Sequence, residues 1–437
     1  MATGGGVDGN PARRQFGELL REHRVKRGAT QRQLADLSTI SVRAIRDLEA
    51  GRASRPRRDT VRLIAAGLRL RGRELTSFEA AALRARGGVE IDLVPDLDAV
   101  PPPSGLDALV GRDAEVSALL DLLGAGGSRL VAVTGLPGVG KTRLVVEVAG
   151  RLHESGSARV LWDAATARPD GAAGRLRLLV HSALARDGDG EGLEPLAELV
   201  GDRELLLVLD GHEPGWPDPD RALTLLHRCR RLRLLRTTRE PLDIPGERVV
   251  ALPPLDRPDA VRLLTRLAGQ VSPMRTSPGQ AARSAPALAE LADRLDGLPG
   301  ALEAAASWLL VHRPEEVLDL VRADPLAVTA DRLPDLRGAL ARALSAVDGP
   351  AVGGRAVDGD RAALDALAAA DGDWTARDAA RLADVPPVAC AHLVRRLRLL
   401  GLVRPVGGDR FRVLDLARAA TAALLPVGLP LAGVRDS

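Results

Sequence analysis

Leu130-Val131-Ala132-Val133-Thr134-Gly135-Leu136-Pro137-Gly138-Val139-Gly140-Lys141-Thr142-Arg143-Leu144-Val145 decides how the chain is read. The first five residues form an apolar strand and the last three open a helix. Between them lies the spacing GxxxxGK[ST] of a phosphate-binding loop, in the strand-loop-helix setting that such a loop requires. The glycines, Gly135, Gly138 and Gly140, let the backbone turn its N–H groups toward phosphate oxygens, and the helix N-terminus adds a favourable dipole. Lys141 reaches the outer phosphates and Thr142 can ligate Mg2+. Val139 and Arg143 complete the expected nucleotide contacts. Lys141 also stands out chemically, because of 61 basic residues only it and Lys26 are lysine. Arginine serves wherever surface charge is all that matters, but a planar guanidinium cannot copy a compact ammonium on a slim stem.

Downstream, Glu204 to Leu209 is an apolar run ending in Asp210, the form of a buried parallel strand that delivers a carboxylate at its C-terminal edge. That position suits the second group on the Mg2+ side, acting through water. Ala158 to Trp162, Leu232 to Arg236 and Arg248 to Leu252 also read as strands. With helical stretches between them, they call for a doubly wound parallel sheet. Glu213, three residues past Asp210, can polarise water; a surface glutamate in the Pro- and Asp-rich loop Glu213 to Asp220 is the alternative reading.

Upstream, the charge changes. Pro11 to Arg86 carries 19 Arg and Lys against eight Asp and Glu, a net +11 in a chain whose total is +3, so the remainder carries −8. Such asymmetry is the footprint of a nucleic-acid-binding module joined to an acidic partner, the alternative being a solvated basic face. The region reads as short helices. Phe16, Leu19 and Leu20 stripe the first, Leu34 and Leu37 the second, and Ile45 and Leu48 a third that Ser41 caps and Gly51 stops. Val42, Arg43 and Arg46 lie on the other side of that third helix.

The stretch Thr30 to Ala35, followed by Ile40 to Gly51, resembles the repressor-type (XRE) helix-turn-helix family. That resemblance implies double-stranded DNA as partner. Arg43 and Arg46, presented with Ser41 and Val42 by a helix in the major groove, are the expected base readers. Gln31, Arg55, Arg57 and Arg58 sit where the family meets phosphates. Thr39 departs from the pattern, which generally has a turn glycine there.

Val94 to Gly105, with four prolines, has the composition of a linker. Beyond it the order of motifs resembles the NB-ARC (STAND-class) family of signal-transducing ATPases and its bacterial antibiotic-regulatory branch. The carrying positions are Val110-Gly111-Arg112, the phosphate loop, Asp210, Thr238-Arg239 and Gly297-Leu298-Pro299. The resemblance implies ATP or ADP with Mg2+, Val110 and Arg112 near the adenine, Pro299 against the base and Arg239 facing the outer phosphate. Two departures matter. Gly300 replaces the leucine usual after the proline, which is expected to loosen packing around the adenine. Gly211 follows Asp210 where active relatives place a second acid, so any hydrolysis, with Lys141, Asp210 and Arg239 as its catalytic groups, is expected to be slow.

Asp256 to Ala323 is helical in pattern. Asp360 to Leu425 reads as three helices, a hairpin turning at Gly407-Gly408, and a helix, the order of a winged helix. In the resembled family this domain packs on the nucleotide as part of a switch; a second DNA surface using Arg395, Arg396 and Arg398 is the alternative. Leu414 aligns with the family's diphosphate-contacting histidine, so that contact is expected to be absent.

The expected architecture is therefore multidomain. An all-α helix-turn-helix (16–86) follows a flexible tail (1–15); a linker (87–106) leads to an α/β P-loop domain with a parallel sheet (107–255); then come a helical domain (256–328), a winged helix (329–425) and a tail (426–437). Two cysteines without close spacing exclude a disulfide framework and a zinc site. No apolar run reaches the ~18 residues of a membrane span, so no membrane partner and a cytoplasmic location are expected. Two functions of different class follow: a nucleotide-switched DNA-binding regulator, self-associating with ATP, and a turnover ATPase, remodelling or defence-type, merely localised by its DNA-binding part.

Overall fold

The computed structural model describes residues 11–52, 58–85, 103, 107–124, 126–165, 171–186, 192–211, 216–239, 241–242, 244–271, 278–348, 360–370 and 372–424. Arg55, Arg57, Glu213, nearly all of the linker and the C-terminal tail lie outside these residues, as does the side chain of Arg58. The first helix, α1 (Pro11–Lys26), takes in the last five residues of the expected N-terminal tail, with proline in the position a helix start accepts best. It is followed by α2 (Gln31–Ser38), α3 (Val42–Glu49), α4 (Arg58–Gly67) and α5 (Gly72–Ala85). Together they bury Phe16, Leu20, Leu34, Ile45, Ile64 and Phe78 in one core.

The turn between α2 and α3 forms without glycine: Thr39 takes φ 54°, and its amide donates to the Ala35 carbonyl. Thr30 and Gln33 form a reciprocal capping box on α2, and the Ser41 hydroxyl accepts from Ala44 N on α3. Leu37 does not share the buried stripe with Leu34: it is 61% exposed, while Leu34, Ala35 and Ser38 face the core. At 100° per residue those three span a narrow arc and Leu37 falls outside it.

The α/β part contains α6 (Asp113–Leu123), β1 (Leu130–Thr134), α7 (Lys141–Glu154), β2 (Arg159–Ala164) and α8 (Gly171–Leu184). Next come α9 (Leu193–Val200), β3 (Leu205–Asp210), α10 (Pro219–Arg228), β4 (Leu232–Thr238) and β5 (Glu247–Ala251). The five strands follow the order β2-β3-β4-β1-β5. β2 with β3, β3 with β4, and β1 with β5 pair in parallel. β1 and β3 are buried along their whole length, as strands covered on both faces must be.

The C-terminal part opens with α11 (Arg257–Val271), α12 (Pro278–Arg294), α13 (Pro299–Trp308), α14 (Pro314–Ala323), α15 (Pro325–Thr329) and α16 (Pro334–Asp348). It closes with α17 (Asp360–Ala369), β6 (Trp374–Thr375), α18 (Ala376–Leu382), α19 (Pro387–Leu399), β7 (Val403–Gly407), β8 (Arg410–Val413) and α20 (Asp415–Leu424). The small antiparallel sheet β6-β8-β7 with α17 to α20 has winged-helix topology, and Gly407-Gly408 turn its hairpin at positive φ.

The chain divides into two units, Met1–Pro103 with Ala149–Arg236, and Ser104–Val148 with Thr237–Ser437. The first holds α1 to α5, β2, β3, most of β4 and α8 to α10. The second holds the phosphate-loop segment, β5 and everything after it. Among the described residues no helix is long and apolar enough to cross a membrane.

Candidate functional site

In the second unit, β1 delivers the chain into the glycine-rich loop, and the first bond of α7 runs from Leu144 N to the Gly140 carbonyl. The amides of Lys141, Thr142 and Arg143 therefore precede the helical ladder, at the positive end of the helix dipole. Gly138 and Gly140 take φ 78° and 100°, values an L side chain strongly resists. The Lys141 ammonium donates to the Gly135 carbonyl at 2.8 Å and the Leu136 carbonyl at 3.0 Å, which holds a positive charge over the loop. Backbone nest, helix N-terminus and ammonium make a donor set suited to an anion with several oxygens.

Four segments brace this loop from outside. Arg112, only 4% exposed, donates to the Val139 carbonyl at 3.1 Å, the Pro253 carbonyl at 2.8 Å and Glu115 at 2.9 Å. It thus ties the loop to the segment after β5. Burial lowers its pKa, opposed by Glu115 and Asp259. Arg112 thus braces the loop through these bonds. Gly111 before it abuts Asp259 so closely that a Cβ would meet the carboxylate.

The second brace is the Gly297-Leu298-Pro299-Gly300 run. Gly300 N donates to the Gly138 carbonyl at 2.8 Å, and the Pro299 ring lies against Gly140. A Cβ on Gly300 would come within 2.9 Å of Gly138 Cα. Glycine at 300 permits a backbone approach to the loop that leucine would obstruct. The third is Leu333, whose methyls fill the notch left by both glycines. The fourth is Gly401, between α19 and β7, where a Cβ would lie 3.0 Å from Leu136 Cγ. A pocket beside the loop is lined by Leu136, Val139, Pro253, Arg398 and Gly401.

Arg239 stands just past β4, half-exposed, with its guanidinium 3.8 Å from the Asp335 carboxylate at the start of α16. Val110 is partly exposed just before the buried Arg112. Leu414 is fully buried and its amide donates to the Leu402 carbonyl, so it serves the winged-helix core. Arg395 and Arg398 are exposed, but Arg396 pairs with Asp360 at 3.2 Å, so the three arginines are not one free basic face. Sequence reasoning missed Asp296. Its buried carboxylate accepts from Asp415 N at 2.9 Å and Leu416 N at 2.8 Å, capping α20 from a distant part of the chain. The only early signal is an acid immediately before Gly297, and nothing local names its partner.

In the first unit, Asp210 is buried at the C-terminal end of β3, and Gly211 after it takes φ 73°. On α3, Arg43 and Arg46 are exposed, Arg43 93% so, and Val42 packs against the core's edge. Gln31 reaches across to α3: its amide donates to Glu49 at 2.7 Å, beside a two-pronged Arg24–Glu49 pair at 2.5 and 3.0 Å. Burial pushes the Glu49 carboxyl up, but Arg24 and Gln31 more than offset this and hold it below its ordinary value. Gly17 lets α1 press on the end of α3, since a Cβ there would lie 2.6 Å from the Leu48 and Glu49 carbonyls.

A helix-turn-helix domain family matches residues 15–78. A Mycobacterium tuberculosis protein of no assigned function is 33% identical over 217 residues, 49% of this chain and 53% of that protein. A second protein of the same organism, provisionally named an HTH-type transcriptional regulator, is 34% identical over 201 residues, 44% of this chain and 21% of its own. The chain thus spans about half the length of the first relative and a fifth of the second. Two solved structures show loose likeness. Hsp104 with ADP from Saccharomyces cerevisiae gives a TM-score of 0.35 at 17% identity, covering 78% of this chain and 56% of that one. Cdc6p from Pyrobaculum aerophilum gives 0.31 at 16%, covering 76% and 100%.

Proposed function

We propose that the chain is a nucleotide-responsive, DNA-binding transcription regulator of the NB-ARC type, with an XRE-type reading head. The observation that carries it is the clasped phosphate loop: Lys141 over the loop carbonyls, with Gly300 N on the Gly138 carbonyl. The donor set suits the phosphates of ATP or ADP. Thr142, and by its strand-end position Asp210, are the groups proposed for Mg2+; among the described residues no three His, Cys, Asp or Glu gather into a metal set of their own. When bound, the nucleotide supplies a charge that differs between its diphosphate and triphosphate forms. Lys141 and the loop amides bind and orient it, Arg143 and Val139 line the loop, and Pro299 limits the base side. Asp210 with Gly211 after it favours a slow ATPase serving as a switch.

The DNA reading rests on α3. Ser41 fixes its N-terminus, and Arg43 and Arg46 point to solvent where major-groove bases would be read. Gln31, Arg55, Arg57 and Arg58 are proposed at phosphates, with Gln31 reaching them only by leaving Glu49. The match to a helix-turn-helix family and the name of one relative support this assignment. We place the protein in the cytoplasm and expect self-association with ATP. Calorimetric titration of ADP and ATP into the full chain and into Lys141→Ala tests the reading. Micromolar or tighter binding that is lost in the variant is expected; equal affinity in a folded variant removes the phosphate-loop assignment.

A further inference from the structure

Arg239, Leu333, Asp335 and the phosphate loop all belong to the second unit, and one short segment joins them. Leu333 sits on Gly138, Asp335 pairs with Arg239, and two residues of chain span at most about 7 Å. The guanidinium therefore stands within a few residues' reach of the loop, held by a carboxylate on a segment that also covers the loop.

Resting on the nucleotide reading above, we infer that Asp335 is a specificity-determining residue: it occupies Arg239 in place of an outer phosphate and so sets how strongly the site prefers triphosphate to diphosphate. A carboxylate and a phosphate offer a guanidinium the same kind of bidentate oxygen acceptor, but the terminal phosphate carries more charge. A diphosphate ends one group short and leaves the Arg239–Asp335 pair in place. A triphosphate takes Arg239 over and releases Asp335. Because Leu333 is joined to Asp335 through Pro334, release also draws its methyls out of the notch between Gly138 and Gly300. The pair is suited to exchange: Arg239 is 36% and Asp335 78% exposed, so its strength is that of a surface ion pair, low enough for a ligand to displace.

The test is titration of the full chain with Mg2+ and either ADP or a non-hydrolysable ATP analogue, using wild type, Asp335→Asn, Arg239→Gln and the double variant. Asp335→Asn should tighten the triphosphate about two- to fivefold, the factor an exposed pair is worth, and leave ADP within twofold. Arg239→Gln should weaken the triphosphate selectively, and in that background Asp335→Asn should change nothing. An unchanged ratio of the two affinities in Asp335→Asn, or an equal effect in the Arg239→Gln background, overturns the inference while leaving the phosphate site standing. Failure of wild type to bind either nucleotide would remove both.

Discussion

The Gly300 amide donates to the Gly138 carbonyl at 2.8 Å, joining the start of α13 to the middle of the phosphate loop across more than 160 residues of sequence. Four residues earlier in the same run, Asp296 caps α20 of the winged helix. One five-residue segment therefore touches both the loop and the C-terminal domain. The segment forms a contiguous route of contacts from the loop to α20.

Gly300→Leu should test that route first. Its side chain would meet Gly138 Cα and the Leu333 methyls, and overpacking of this kind costs about 1–3 kcal/mol. Urea midpoints read the loss, and ADP affinity should fall with it; a variant as stable and as tight-binding as wild type would mean that the contact carries nothing.

Lys141→Ala should keep the fold, because the residue is only partly buried and the loop is braced independently by Arg112, Gly300 and Leu333. Circular dichroism should be unchanged while calorimetry shows no nucleotide heat.

Arg43→Ala or Arg46→Ala should cost about 1–3 kcal/mol on a selected DNA site and relax its sequence preference, since bidentate arginine–guanine contacts have that worth. Shift assays on matched and mismatched duplexes read both effects. Loss of affinity without loss of preference would move these arginines from bases to phosphates.

Asp296 gives a pH dependence with a definite sign. Burial raises its pKa from 3.8 to about 7, reinforced by Asp415 and opposed by the Leu416 and Asp415 amides and by Arg404. The folded chain therefore holds this proton more tightly than the unfolded chain. Its contribution favours folding below pH ~4 and is lost as the pH rises toward ~7. Urea midpoints measured at pH 5 and pH 7.5 should differ less in Asp296→Asn than in wild type. Equal differences would place the titration elsewhere.

Much of this was legible in the residues. The strand-loop-helix at Leu130 to Val145, the Ser41 cap, the Gly51 stop and the Gly407-Gly408 hairpin depend on local backbone chemistry, and all appear where the sequence puts them. What escaped depends on distant partners. The contact of Gly300 with Gly138 is invisible in local sequence. Nothing near Arg112 in sequence announces that it donates to the Val139 and Pro253 carbonyls. The Gln31–Glu49 and Arg239–Asp335 pairs likewise join residues that no local pattern links.

The claim that nucleotide state controls the DNA-binding part is tested most directly by measuring DNA affinity and molecular mass on the same samples. The full chain, with Mg2+ and either ADP or a non-hydrolysable ATP analogue, would be titrated with a DNA duplex selected by the protein and sized by light scattering. A shift between largely one form and largely the other requires a differential affinity of about 5.5 kcal/mol, so a partial change in both readouts is already informative. Affinity and mass should differ between the two nucleotides in wild type, and the difference should disappear in Lys141→Ala. Identical affinity and mass with ADP and with the analogue would contradict the claim and leave the nucleotide as a structural ligand.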